Sequence, residues 1–444
     1  MNKIIETSKI YFLVFALISY SCSTNDEGST IKEDEIVDLN QAPGDFLLQE
    51  VENNAINVSP KPIFSWEESK DPEGNSIRYN LLLDTLNPPE KIYAENLSST
   101  SFTISNSLDL SKSYFWRVEA IDDKDATTKS AISNFFTLDF QIPLMSTIEN
   151  ADFPVRNGHG SVVFNDKIWV IGGGIGSYRK DVWSSSDGLN WELVTDEPGF
   201  SARTGFTLTV FKNKMWLIGG FAGFNTNDVW FTEDGINWTE ATPNASFSKR
   251  TDHTSVVFDN KLWVIGGTAN SIGIGAEFVN DIWYTEDGLE WTMATENADF
   301  EQRSGHASLV FDEKMWVIAG YLDSSGSDIG DAWYSTDGIL WEKATTDSDM
   351  FSGRVSHFST VFDDKMWVFG GFKYSGSGYR NDIWYSTDGI KWFEATPDAP
   401  FSKRANSSGV VFDNKIWLIA GGRHLNTSGT ENTNDIWVFS KKTN

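Results

Sequence analysis

The stretch KMWVFGGFKYSGSGYRNDIWYSTDGIKW, Lys365–Trp392, decides the fold because close copies of it recur along the chain. Its opening, an apolar run that starts with lysine and ends in two small residues, occurs six times. Self-similarity with a period of some tens of residues is the signature of a fold built from copies of one small unit. The six openings are KIWVIGG (Lys167–Gly173), KMWLIGG (Lys214–Gly220), KLWVIGG (Lys261–Gly267), KMWVIAG (Lys314–Gly320), KMWVFGG (Lys365–Gly371) and KIWLIAG (Lys415–Gly421).

An arginine precedes each opening and sets the period. These residues are Arg156, Arg203, Arg250, Arg303, Arg354 and Arg404, and the intervals between them are 47, 47, 53, 51 and 50 residues. Each interval holds four short apolar or alternating runs separated by turn residues, among them an Asp-Gly pair that suits a tight hairpin. Four short strands per unit, repeated in series, are typical of a β-propeller.

The double glycine, the arginine at the start of the unit and the tryptophans in its strands resemble the pattern of kelch repeats, a family related to the propeller of galactose oxidase. The resemblance covers 142–444 and implies an all-β, six-bladed kelch-like β-propeller. The last unit ends at DIWVFSKKTN without a fourth strand, whereas Met145–Arg156 aligns with Met293–Arg303, which leads out of a fourth strand. We therefore expect 142–148 to supply the outermost strand of the sixth blade and to close the ring.

Residues 42–140 follow a different pattern of short alternating runs bounded by turn clusters, which predicts strands. Tyr114, Trp116, Val118 and Ala120 alternate onto one face, and Trp66 offers a second sheet a bulky core residue. The region resembles a fibronectin type III domain, an immunoglobulin-like β-sandwich. The predicted strands are Pro62–Trp66, Ile77–Asp84, Ser101–Ser105, Tyr114–Asp122 and Ser133–Leu138.

The first 22 residues are predicted to be a targeting segment, in which two lysines precede the apolar run Ile10–Ile18 and Cys22 follows. This segment resembles a bacterial lipoprotein signal, which implies cleavage before Cys22 and acylation of that residue. Residues 23–41 are acidic and poor in aromatic residues, so they are expected to form a disordered tether. The resemblance implies a lipid anchor in the outer membrane, with the protein exposed at the cell surface.

Composition excludes several classes of function. The formal net charge of −28 argues against nucleic acid or an anionic membrane surface as a direct partner, because both bind basic surfaces. Cys22 is the only cysteine, so no disulfide can form within the chain, and the Tyr–Cys crosslink of galactose oxidase is excluded. We expect a monomer without a cofactor, whose membrane contact is limited to its N-terminal lipid.

The loops of each four-stranded unit divide between two faces. The loops between first and second strands are uniform, whereas those between second and third strands vary in length and content, and binding residues concentrate on such loops. We call the second face the variable-loop face. Its exposed aromatic rings suit sugar C–H groups, and its cations suit carboxylates. The candidate ligand-binding residues are Tyr178, Arg179, Phe224, Tyr321, Lys373, Tyr374, Arg380, Arg423 and His424.

Two repeated residue types have alternative interpretations. The six arginines can hold an acidic ligand near the channel mouth, as the resemblance implies for some kelch proteins. They can equally pair with Asp181, Asp228, Asp281, Asp331, Asp382 and Asp435, which occupy one repeat position. His159, His253, His306 and His357 also share a repeat position, which spreads them around the ring and argues against a common metal site.

The sequence thus predicts a surface-anchored lipoprotein that binds a glycan or glycoprotein on its variable-loop face, with an acidic glycan favoured by the cations there. A sugar-active enzyme is the first alternative, because the six blades also resemble the kelch-type sialic acid mutarotases. A scaffold that binds a cell-surface protein is the second. No catalytic or metal-binding residue is assigned.

Overall fold

The computed structural model describes residues 40–441, apart from 175–176, 271–276, 323–327, 345–349, 375–377 and 426–428. Residues 423–425, 429 and 430 are described by their backbone alone. Cys22, the predicted signal segment and nearly all of the predicted tether therefore lie outside the described residues. All regular structure in the described part of the chain is β-strand, and it includes no helix of membrane-spanning length and hydrophobicity.

The N-terminal region contains nine strands in two sheets. One sheet has the order β1-β3-β6, and the other has the order β2-β9-β7-β4-β5, with β8 paired to β7. Four of these strands, β1, β2, β5 and β8, were not predicted from the sequence. The bounds are β1 Leu48–Glu50, β2 Ala55–Val58, β3 Ile63–Trp66, β4 Arg78–Asp84, β5 Ile92–Leu97, β6 Ser101–Thr103, β7 Ser113–Ile121, β8 Thr127–Lys129 and β9 Ser133–Thr137.

The core of this region joins the two sheets. Phe64 and Trp66 of β3 pack with Trp116 of β7, and the Phe64 and Trp116 rings meet edge to face at 4.7 Å between centroids. Along β7 every second side chain is buried, in the register that the alternation of Tyr114, Trp116, Val118 and Ala120 predicts. The region is thus a β-rich domain of about one hundred residues with its own core.

The described part of the repeats contains the other 25 strands. Their bounds are β10 Gly160–Phe164, β11 Lys167–Gly173, β12 Arg179–Ser185, β13 Glu192–Thr195, β14 Thr207–Phe211, β15 Lys214–Phe221, β16 Asn225–Thr232, β17 Thr239–Thr242, β18 Arg250–Thr251, β19 Thr254–Phe258, β20 Lys261–Ala269, β21 Glu277–Thr285, β22 Thr292–Thr295, β23 Ala307–Phe311, β24 Lys314–Tyr321, β25 Asp328–Ser335, β26 Glu342–Lys343, β27 Phe358–Phe362, β28 Lys365–Lys373, β29 Gly378–Ser386, β30 Phe393–Thr396, β31 Arg404–Ala405, β32 Ser408–Phe412, β33 Lys415–Leu425 and β34 Gly429–Phe439.

These strands form six antiparallel units in sequence order. The first unit is the meander β10-β11-β12-β13, and the next four repeat it as β14–β17, β19–β22, β23–β26 and β27–β30. The sixth unit is β32-β33-β34. Two short strands, β18 and β31, link neighbouring units, because each pairs with the third strand of one unit and the second strand of the next.

Tryptophans of the second strands pack between units. In each of five pairs, the indole lies directly on the glycine of the next unit's Asp-Gly turn, where a Cβ atom would come within 2.0–2.3 Å of the ring. Each such contact buries a large apolar surface at an inter-unit boundary. The pairs are Trp417 on Gly188, Trp169 on Gly235, Trp216 on Gly288, Trp263 on Gly338 and Trp316 on Gly389. The contact of Trp417 with Gly188 joins the sixth unit to the first unit.

Six backbone hydrogen bonds also link the units in a circle. The N–H at one position of each unit donates to the carbonyl of the same position in the preceding unit, at 2.8–3.1 Å. The bond from Gly158 N–H to the Asn406 carbonyl connects the first unit to the sixth. We call this set the axial ring; its members are Gly158, Gly205, Asp252, Gly305, Ser356 and Asn406. All six have a positive φ, between 51° and 62°.

Residues 142–148 do not form the continuous strand that the sequence predicts. Two β-bridges join this part of the chain to the last unit, one between Ile148 and Ile436 and one between Gln141, just before the segment, and Ser440. Gln141 N–H donates to the Ser440 carbonyl, Thr147 N–H to the Ile436 carbonyl and Ile436 N–H to the Ile148 carbonyl, each at 2.8 Å. The segment is thus not a regular strand, although Ile148 pairs with β34, and its role in closing the sixth blade stays a prediction.

Phe140 packs on the second-strand tryptophan of the fifth unit, whereas the other five second-strand tryptophans carry the glycine of an Asp-Gly turn. Its ring stacks on Trp367, the second-strand tryptophan of the fifth unit, at 4.1 Å between centroids, and on Phe439 at 5.7 Å. Lys61 of the N-terminal domain also pairs with Glu394 at 2.5 Å. The end of the N-terminal domain thus fills the sixth inter-unit boundary.

We expect Phe140→Leu to lower the free energy of unfolding of the repeats by roughly 1–2 kcal/mol. The smaller side chain loses the ring contacts with Trp367 and Phe439, and no other group takes its place. Chemical denaturation monitored by tryptophan fluorescence measures this change. Leu144→Ala is the matched control, since Leu144 is 90% exposed in the same segment and its loss should cost under about 0.5 kcal/mol. Equal effects of the two variants would contradict this role of Phe140.

Candidate functional site

The repeated arginines are fully enclosed in the units. Their side chains are at most 2% exposed, and each lies over the phenylalanine three residues earlier, with 4.6–5.9 Å between the guanidinium carbon and the ring centroid. Each guanidinium also binds an aspartate side chain. The pairs and their shortest N–O distances are Arg156–Asp181 2.8 Å, Arg203–Asp228 2.7 Å, Arg250–Asp281 2.7 Å, Arg303–Asp331 2.7 Å, Arg354–Asp382 2.7 Å and Arg404–Asp435 2.6 Å.

The hydrogen-bond capacity of these arginines is almost exhausted within the unit. In the fifth unit, Arg354 donates from both terminal nitrogens to Asp382 at 2.7 Å, from Nη1 to the Gly370 carbonyl at 2.8 Å and from Nε to the Ser352 carbonyl at 3.3 Å. In three other units a serine two residues before the arginine accepts a further bond. Of the two interpretations of the repeated arginines, the structure therefore shows the pair with aspartate.

Three of these aspartates, Asp228, Asp382 and Asp435, are held as carboxylates by a lowered pKa. Burial alone would raise the pKa of Asp382, but hydrogen bonds and charge from Arg354 outweigh burial and hold that pKa below its usual value. The indole N–H of Trp384 also donates to Asp382, at 2.8 Å. The same indole-to-aspartate bond recurs in all six units, so the network is a structural element of the repeat.

The four repeated histidines are buried and neutral. Burial, with the charge of the arginine three residues earlier, lowers the pKa of His159, His253 and His357 to about 3, and that of His306 well below its usual value. They lie around the axis next to the axial ring, in positions that Phe206 and Ser407 occupy in the other two units. Within the described residues no group of three or more metal-ligating side chains could hold a metal ion.

The predicted ligand-binding residues fall into separate groups. Tyr178 meets Phe221 at 5.6 Å between centroids, and Phe224, 55% exposed, lies beneath the ammonium group of Lys249 at 5.9 Å. Arg380 donates to Ser352 Oγ at 3.2 Å. Arg179 lies at the start of β12 and Lys373 at the end of β28. The side chains of Arg423 and His424 lie outside the described residues.

Tyr321 and Tyr374 form the best-defined part of the variable-loop face. Their rings are 4.6 Å apart between centroids, although they come from different units. The ring of Phe372 packs against Tyr374 and Tyr379, at 4.7 Å and 4.8 Å between centroids. The ring of Phe278 packs against Tyr321 at 5.6 Å. Tyr374 nevertheless stays 57% exposed. The result is an aromatic surface held in place from behind and open to solvent in front.

Asp252 lies on the axial ring beside this aromatic surface. Its side chain reaches solvent, yet protein surrounds it, and this desolvation raises its pKa to about 6. The pKa of Tyr374 is raised by burial, then by Tyr321 and by the negative charges of Asp252 and Asp328. Asp252 also lines a cavity of about 140 Å³ on the axis. A carboxylate that lines the axial cavity and a pair of tilted tyrosine rings thus lie close to each other.

Local backbone geometry explains why the ring tolerates Asp252. A positive φ is unfavourable for most residues, but aspartate, asparagine and glycine adopt it readily. The preceding ring member is Gly205, where a Cβ atom would lie 2.8 Å from Asp252 Oδ1 and 2.2 Å from Thr251 Oγ1. Glycine at 205 therefore leaves the space into which the carboxylate of the next unit reaches.

Comparison with known proteins identifies the repeats. The family model described as the KLHDC2/KLHL20/DRC7 Kelch-repeats domain matches residues 158–335 and 282–444, which together span more than half of the chain. The chain belongs to this kelch-repeat family. A solved structure described as "Structure of YjhT" has 17% identity and a TM-score of 0.55, and the match covers 67% of this chain and 98% of that one. This likeness shows that the fold is a kelch propeller. No curated protein matches the chain.

Sequence reasoning missed two residues of this kelch propeller's site. Asp252 lies within RTDHT, where the neighbouring arginine and histidine belong to the repeat pattern and drew attention instead. The sequence did contain a signal: Asp252 is charged, whereas the same position is Gly, Gly, Gly, Ser and Asn in the other five units. Phe278 was missed because the long loop before it hides the start of β21.

Proposed function

We propose that the kelch units form a closed six-bladed propeller that binds carbohydrate on its variable-loop face. The observation that carries the proposal is the contact between Tyr321, which is partly buried, and Tyr374, which is exposed, beside the carboxylate of Asp252. Aromatic faces accept the C–H side of a sugar ring, and a carboxylate accepts hydrogen bonds from sugar hydroxyl groups. This combination suits a sugar better than a purely apolar ligand.

The rigidity of the surface supports the same proposal. Phe278, Phe372 and Tyr379 pack behind the two tyrosines, and the Tyr374 N–H donates to Asp328 Oδ1 at 3.1 Å. A ring fixed in advance loses little conformational entropy when a ligand binds. An exposed aromatic surface with this much support behind it is suited to recognition.

Tyr374→Ala is expected to weaken glycan binding roughly 10-fold or more, because it removes the more exposed face of the pair. The measurement is binding of the full chain to a panel of neutral and acidic glycans, repeated with the variant. Ile236→Ala is the control, since Ile236 is 53% exposed in an Asp-Gly turn, on the other face. Unchanged binding by Tyr374→Ala would show that the site lies elsewhere. If the wild-type chain binds no glycan, a protein partner is favoured instead.

A sugar-active enzyme is a second candidate, favoured by the raised pKa of Asp252. A carboxyl group with a pKa of about 6 can both accept and donate a proton near neutral pH, and Tyr374 has a phenol nearby. Proton transfer at an anomeric carbon requires groups of this kind. Exchange between sugar anomers, followed by NMR with and without the protein, separates a binder from an enzyme.

We also propose that the propeller is presented at the outer surface of a bacterial outer membrane through a lipid on Cys22. The N-terminal segment supports this through its resemblance to lipoprotein signals, and the fibronectin type III-like domain would then act as a spacer. Release of a Cys22→Ser variant into the soluble fraction would support the anchor. Retention of that variant in the membrane fraction would oppose it.

A further inference from the structure

Asp252 stands alone as a charge on the axial ring. The other five members are three glycines, a serine and an asparagine, so the ring does not need a carboxylate in order to close its backbone hydrogen bonds. The side chain is exposed to solvent, and it lines the axial cavity next to the aromatic surface. A charge that the fold does not require, at the mouth of a cavity, points to a role in ligand binding.

The repeated arginines cannot neutralise an incoming anion. Arg250 is two residues before Asp252, but its guanidinium is buried and bonded to Asp281, Ser248 and the Gly266 carbonyl. The second acid near Tyr374, Asp328, adds to the negative potential there. Of the cations predicted to favour an acidic glycan, Arg179 belongs to the first unit and Arg380 donates to Ser352, whereas Lys373 adjoins Tyr374 in the chain.

We infer that Asp252 makes the variable-loop face selective for neutral glycans over glycans that carry a carboxylate. This inference rests on the proposed carbohydrate binding and changes its expected ligand class from acidic to neutral. A neutral sugar gives hydroxyl donors to the carboxylate, whereas a sialic or uronic acid brings a like charge beside it, which is unfavourable in a partly desolvated site. We expect a preference of roughly 10-fold or more for the neutral member of a matched pair.

The test compares sugars that differ in one carboxylate. The full chain is titrated at pH 8, well above the pKa of about 6 for Asp252, with N-acetyllactosamine and 3′-sialyl-N-acetyllactosamine, and with methyl α-glucoside and methyl α-glucuronide. Asp252→Asn keeps the shape and removes the charge, so the preference should fall to within about 3-fold. Asp252→Gly provides a second variant, because glycine already occupies this position in three units.

Asp259→Asn is the matched control, since it removes one negative charge from an exposed turn on the opposite face and should leave the preference unchanged. The inference is overturned if the wild-type chain binds the acidic sugars as tightly as the neutral ones, or if the two Asp252 variants keep the wild-type preference. Either result would leave carbohydrate binding itself standing. Absence of binding to all four sugars and to a wider glycan panel would instead overturn the proposed function, and the inference with it.

Discussion

Asp382→Ala is expected to lower the free energy of unfolding of the propeller by about 3–5 kcal/mol. The variant leaves the guanidinium of Arg354 fully buried without its carboxylate, and the indole N–H of Trp384 also loses its acceptor. Removing one partner of a buried ion pair costs far more than the pair contributes, because the remaining charge is uncompensated. Chemical denaturation at pH 7 measures the change.

A matched control separates burial from charge. Asp413→Ala removes an aspartate that is 72% exposed and pairs with Lys415 at 3.0 Å, so its effect should stay below about 1 kcal/mol. Replacing both buried partners, as Arg354→Met with Asp382→Leu, should recover much of the loss because no charge is left unpaired. Equal effects of Asp382→Ala and Asp413→Ala would contradict a buried pair.

Acid is expected to destabilise the fold through the four buried histidines. In the unfolded chain a histidine binds a proton below a pKa of about 6.5, whereas His159, His253 and His357 do so in the fold only near pH 3. The unfolded state therefore binds more protons between these values, so stability is complete above pH 6.5 and is lost as pH falls toward 3. From pH 7 to pH 5 the loss is roughly 2 kcal/mol for each of these three residues.

Two effects oppose this loss. The raised pKa of Asp252 makes the fold bind an extra proton in the same range, and acid also relieves part of the repulsion within a chain of net charge −28. The contribution of one histidine is therefore best isolated by substitution. His357→Phe copies the residue that the second unit carries at this position, Phe206, and removes the titrating group.

The measurement is the free energy of unfolding of the wild-type chain and His357→Phe at pH 7 and pH 5. We expect the loss between the two pH values to be smaller in the variant by roughly 2 kcal/mol. The stability of the variant at pH 7 can differ in either direction because the ring sizes differ. The same loss in both proteins would mean that His357 is not held neutral by burial.

The repeated features of the kelch propeller were predictable because each occurs six times in the sequence. The arginine and aspartate positions recur in register, so a pair was expected as one of two interpretations, and the structure shows it in every unit. The second-strand tryptophans also recur in register, and five of them pack on the Asp-Gly turns of neighbouring units. Repetition reveals the backbone requirements of one unit, and these do not change around the ring.

Features that occur once were not predictable in the same way. Phe140 lies outside the repeats, and only the three-dimensional arrangement brings its ring onto Trp367. The segment 142–148 aligns well with a repeat but pairs with β34 through a single β-bridge, at Ile148. A local sequence pattern contains no information about which edge a distant segment can reach.

The candidate site was predicted in part. The variable loops directed attention to Tyr321 and Tyr374, but the contact between these two rings depends on the angle between two units. Asp252 was overlooked because it lies between the repeated residues Arg250 and His253, and its raised pKa arises from burial in the folded chain. The site is therefore a property of the ring as a whole, to which several units contribute one or two side chains.

The most direct test of the proposed carbohydrate site is a calorimetric titration of the full chain with the tightest-binding sugar of the glycan panel. The double variant Tyr321→Ala, Tyr374→Ala is compared with the double control Leu289→Ala, Ile390→Ala, which removes two half-exposed apolar side chains from Asp-Gly turns on the other face. The account predicts that the first variant loses measurable binding while the control binds like the wild-type chain. Equal binding by both variants would place the ligand away from the aromatic surface and contradict the account.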